Sequence, residues 1–280
     1  MTLSIEYSNK PLSNQNLDAI IVFIFEDSGL TGSGLNSLPN ALKENLSTIL
    51  KLKVFNGKQD SCQQLLSGHA SIPQILAVGL GKKSLMNTET LRRAAGIAGK
   101  KLNSLKAKKI GFTVTSHLQN KSGIDVGQVL IEGLMLGSYK FNKYKESNDD
   151  KLKLESIKIQ CCDPENITSR NALKTGKMRA DGTNLARNLG NTPANDLKPK
   201  DLAFTAENIA KQYKMNCTVL EEKQMKKLGM GMLLGVSRGS REPAKLILME
   251  YFHQKAKQAI ALVGKGVTFD SGGISLKPGR

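Results

Sequence analysis

The stretch Ala19–Phe25, AIIVFIF, is a run of seven apolar residues without a single polar position. Successive side chains of a strand point to opposite faces, so this run has no face to offer to water. It reads as a strand covered on both sides, the situation of a parallel or mixed sheet packed between helices. Seven residues also fall far short of the roughly 20 that a membrane-spanning helix needs.

Working outward, the hydrophobic period switches back and forth. Leu38, Leu42, Leu46, Ile49 and Leu50 recur at helical spacing, and Ile75–Val78, ending at Gly79, reads as a second buried strand. Leu91, Ala94, Ala95, Ala98, Leu102 and Leu105 mark a helix, Ile110–Thr115 a third strand, and Ile124–Tyr139 an amphipathic helix with Val126, Val129, Leu130 and Leu134 on one side. This βαβα rhythm predicts an α/β fold. Asn142–Lys151 (NKYKESNDDK) has the composition of a linker or exposed loop. Leu152–Ile159 alternates partially and is expected to be an edge strand. A domain boundary is expected near residues 160–168, giving a smaller N-terminal α/β domain over 1–165 and a second α/β domain over 166–280.

In the second half a helix is expected over Ser169–Leu189, stopped by Gly190 and Pro193. Pro199 suits the first turn of the next helix, whose apolar face is Leu202, Ala203, Ala206, Ile209, Ala210 and Tyr213. Cys217–Leu220 reads as a strand and Lys223–Leu228 as a short helix closed by Gly229. Lys245–Tyr251 and Gln258–Val263 read as two further strands.

The composition, 39% hydrophobic and 23% charged, is that of an ordinary globular chain. A net charge of +17 can attract nucleic acid, acidic membranes or other anionic partners. The lysines are scattered along the whole chain, which equally describes a solvated basic surface. The four cysteines (Cys62, Cys161, Cys162, Cys217) form no CxxC or Cys/His metal spacing, and reduced thiols are expected. The start, MTLSIEYSNK, has no basic region followed by an apolar stretch, so a cytoplasmic protein with no membrane association is expected.

The densest chemical signal is Val263–Arg280, VGKGVTFDSGGISLKPGR, where an apolar run enters a Gly-rich loop carrying Lys265, Asp270 and Lys277. Three readings are open on local sequence. A phosphate cradle would need GxxxxGK[ST], which neither this loop nor Gly79–Ser84 satisfies. A purely structural glycine-rich turn is the second. A metal site with Asp270 as oxygen donor is the third. Elsewhere, His69, His117 and His253 are far apart and form no HExxH, and no GxSxG marks a serine nucleophile. The nine methionines read as core filling.

Three segments together resemble the leucyl aminopeptidase family of two-metal metallopeptidases. They are NLARNLGNTPAND (184–196), LEEKQMKKLGMGMLLGVSRGS (220–240) and VGKGVTFDSGGISLKP (263–278). The resemblance is specific over residues about 170–280 and looser before that. It implies that residues 166–280 begin a metallopeptidase catalytic domain, that two divalent ions (Mn²⁺ or Zn²⁺) are bound, and that peptides with Leu-like N-terminal residues are cleaved. It implies that Lys265 is an unusual lysine ligand of one metal and that Asp270 is a carboxylate touching both. Lys277 would be a non-ligand lysine that polarises the peptide carbonyl. An amine binds a metal only when neutral, and neighbouring cations disfavour its ammonium form. Two metals about 3.5–4 Å apart generate a hydroxide nucleophile and hold a free amino terminus. The family also implies a hexamer, and some bacterial members bind DNA. Its pattern continues with another aspartate, an Asp-x-Glu pair and an arginine, none of which stands between Lys277 and Arg280. A truncated sequence is therefore expected, inactive as a peptidase by itself, with DNA binding or a scaffold role as the alternative.

Overall fold

A computed structural model describes residues 3–8, 11–30, 38–114, 118, 125–146, 154–161, 170–252 and 256–269. The chain divides into two compact units, Met1–Leu185 and Ala186–Arg280. Of the expected boundary at 160–168, residues 162–168 lie outside those described.

In the first unit the elements run β1 (Ser4–Ser8), β2 (Ala19–Phe25), α1 (Asn40–Lys51), β3 (Cys62–His69), β4 (Ile72–Gly81), α2 (Thr88–Ser104), β5 (Lys109–Val114), α3 (Val126–Gly137) and β6 (Ser156–Cys161). A long helix, α4 (Arg170–Asn191), starts in this unit, and the division falls inside it. The six strands form one sheet in the order β1-β6-β5-β2-β4-β3. All neighbours are parallel except β3 and β4, which are antiparallel. The α/β fold with a mixed sheet is as the rhythm predicts.

Every residue of β2 is buried, and its side chains alternate between two cores. Ala19, Ile21, Phe23 and Phe25 join Leu76 and Val78 against α2 and α3. Ile20, Val22 and Ile24 join Ile75, Ala77 and the α1 residues Leu42 and Leu46. Fully burying such a side chain is worth about 1.5–3 kcal/mol, so a polar residue anywhere in β2 would forfeit one face of the packing.

Helices α2 and α3 pack backbone to backbone. A Cβ on Gly133 would overlap the carbonyl oxygen of Arg92, and one on Gly137 would overlap that of Gly96. This close approach explains why α3 is buried around most of its circumference, with Ile131, Gly133 and Met135 covered besides the predicted stripe. Asn87 caps α2 by accepting a hydrogen bond from the Thr90 amide at 3.0 Å, and Asp125 caps α3 through the Gly127 amide at 2.8 Å.

Strand β6 departs from expectation. It is an interior strand between β1 and β5, not an edge. The short segment SIEYS supplies the outer neighbour, with Ile5 and Tyr7 packed against the core. The partial alternation of β6 has a local cause, because its Lys158 projects to an exposed ion pair with Glu6 of β1 at 2.5 Å. Strands β1 and β3 carry too few apolar positions to declare themselves in the sequence.

The second unit contains α5 (Pro199–Tyr213), β7 (Asn216–Leu220), α6 (Glu222–Lys227), α7 (Gly231–Ser237) and β8 (Leu246–Glu250). Strands β7 and β8 pair antiparallel, Cys217 opposite Met249 and Leu220 opposite Leu246. Helix α5 carries its buried face on Ala203, Ala206 and Ala210, while Tyr213 is exposed. Helix α7 was not signalled, since two glycines in seven residues each cost about 1 kcal/mol of helix propensity. The expected strand at Gln258–Val263 is not formed: these described residues are irregular and exposed. A run apolar on both faces becomes a strand only where neighbouring strands complete its hydrogen bonds, and no such neighbour stands beside it among the described residues. No helix of the described residues is long and apolar enough to cross a membrane.

Candidate functional site

Two of the three family-like motifs, 184–196 and 220–240, lie wholly within the described residues. Helix α4 ends at Asn191, where the Thr192 hydroxyl donates back to the Asn188 carbonyl at 2.7 Å. Pro193 then closes a turn, its carbonyl accepting from the amides of Asp196 at 2.9 Å and Leu197 at 3.0 Å. The second motif runs from the end of β7 through α6 and α7. The Gln224 side chain accepts from the Glu221 amide at 2.8 Å, and Gly229 ends α6 with a positive φ of 71°.

Helix α5 is fixed firmly at its start. Pro199 holds the first helical position, and the Asp201 carboxylate accepts from the Lys198 amide at 2.9 Å. A negative charge here also suits the positive end of the helix dipole. The Lys198 amine pairs with Glu242 at 2.6 Å, and that hydrogen bond, then the charge of Glu242, raises its pKa above the ordinary lysine value.

Lys265 lies in the irregular segment 256–269 with an exposed side chain. The two glycines beside it differ. A Cβ at Gly264 would meet nothing within 4 Å, whereas one at Gly266 would stand 3.3 Å from Cδ2 of Leu202, on the first turn of α5. Asp270 and Lys277 lie outside the described residues, so of the three predicted site residues only Lys265 has a described position. Among the described residues no group of three His, Cys, Asp or Glu side chains is placed to hold a metal ion. The chemistry of the donors nonetheless fits part of a coordination sphere. Lys265 and Asp270 stand five positions apart on one Gly-rich segment, and nitrogen and oxygen donors are both types that Zn²⁺ or Mn²⁺ accepts.

His69 closes β3, its amide donating to the Ser67 hydroxyl at 2.9 Å; His117 and His253 lie outside the described residues. Cys62 and Cys217 are free thiols, and burial pushes both thiol pKa values up, which makes neither a reactive thiolate. The nearness of Leu202 to Gly266 escaped the sequence reading. The only available hint was a second glycine directly after Lys265.

The N-terminal domain of the cytosol aminopeptidase family matches residues 21–148, and the catalytic domain of the same family matches residues 184–280. The chain belongs to the cytosol aminopeptidase family. It is 36% identical over 266 residues to a probable cytosol aminopeptidase of Alkaliphilus oremlandii (strain OhILAs), across 94% of this chain and 53% of that relative. Its fold matches that of a tomato leucine aminopeptidase mutant with a TM-score of 0.82 at 26% identity, over 97% of this chain and 55% of the other. The bottromycin maturation enzyme BotP, solved in complex with Mn, shares the fold at a TM-score of 0.65 and 23% identity, over 85% of this chain and 46% of that one. The chain thus spans about half the length of the cytosol aminopeptidase relatives that it matches.

Proposed function

We propose that this chain supplies the N-terminal domain, residues 1–165, and the first part of the catalytic domain, 166–280, of a cytosolic, metal-dependent aminopeptidase that releases Leu-like residues from peptides. The observation that carries the reading is the segment VGKGVTFDSGGISLKP, which lies inside the catalytic-domain match at 184–280.

Lys265 and Asp270 would hold the metal ions, Lys265 through its amine nitrogen and Asp270 through its carboxylate. The manganese bound to BotP supports Mn²⁺ as one occupant, with Zn²⁺ the other choice. When bound, a pair of such ions lowers the pKa of water toward neutrality and takes up the free amino terminus of a peptide. Lys277 would keep its proton and donate a hydrogen bond to the scissile carbonyl oxygen, stabilising the negative charge that develops there. Asp270 would carry the negative charge that keeps the two cations close together.

Two carried-over ligands are too few to complete two coordination spheres. The 280-residue polypeptide alone is therefore expected to hydrolyse no leucine p-nitroanilide, whereas an enzyme of the relatives' full length that contains it is expected to do so with Mn²⁺ or Zn²⁺. Loss of that turnover in Asp270→Ala supports the reading. Turnover by the full-length enzyme that survives both chelation and Asp270→Ala contradicts it. Hexamer formation is carried by the resemblance, and nonspecific DNA contact by the resemblance and the charge of +17.

A further inference from the structure

We draw no further inference here: the strongest candidate, the exposed apolar surface of the second unit at α5 (Phe204), α7 (Met232 and Val236) and the run 259–263, is what the rest of a catalytic domain would cover, and so restates the reading of this chain as the first part of that domain.

Discussion

Two apolar runs with similar sequences have opposite fates in this molecule. AIIVFIF at 19–25 is at most 5% exposed at every residue, whereas in AIALV at 259–263 Ile260, Leu262 and Val263 are 89%, 94% and 98% exposed. The first run has β4 and β5 hydrogen-bonded on its two sides, with α1 covering one face and α2 and α3 the other. The second has no strand partner among the described residues. The difference teaches that a doubly apolar run states a requirement for neighbours on two sides and two faces. The run itself does not supply them.

Mutation should sharpen this contrast most strongly in the sheet. Leu76→Ala, beside β2, should cost the first unit about 2–5 kcal/mol by denaturant unfolding, because it leaves a cavity in a closed core. Leu262→Ala, in the exposed run, should change stability by no more than about 0.5 kcal/mol. Equal effects from the two would mean that the exposed run is packed after all.

The glycines offer a second and smaller contrast. Gly133→Ala forces a methyl against the Arg92 carbonyl and should destabilise by about 1–3 kcal/mol through separation of α2 and α3. Gly239→Ala, where the added Cβ meets nothing, should shift the thermal midpoint little.

The smallest expected effect is electrostatic. The hydrogen bond from Lys158, together with a hydrogen bond from Ser4 and the charge of Lys158, holds the Glu6 carboxyl below its ordinary pKa. A lowered folded-state pKa gives stability that is present above the unfolded value and lost as pH falls through the folded one. Glu6→Gln should therefore lower stability slightly at neutral pH, where the contribution is present, and leave stability unchanged below the folded-state pKa, which flattens the acid limb. The pair is exposed, so solvent screening keeps the effect small. An acid limb that steepens in the variant would reverse the assigned sign.

The sequence announced those parts of the fold whose packing demand is written locally. The span of β2, the faces of α1 and α2, and the proline start of α5 all follow from period and turn chemistry. What it hid depends on partners. The interior position of β6 rests on five residues about 150 positions earlier, and the extent of burial on α3 rests on glycines that let α2 touch its backbone. The proposed site was legible as a motif, since Lys265, Asp270 and Lys277 stand on the segment that resembles the family. The nearness of Gly266 to Leu202 was not, because it brings together residues far apart in the sequence.

The most direct test of the proposed chemistry is metal analysis beside steady-state kinetics on Lys265→Ala and Lys277→Ala, each in an enzyme of the relatives' full length. Lys265→Ala should lose metal occupancy. Lys277→Ala should keep its metal and lose about 10²–10³ in kcat, the effect of removing one oxyanion-stabilising donor. Loss of metal from Lys277→Ala, or full occupancy with normal affinity in Lys265→Ala, would contradict the assignment of the two lysines.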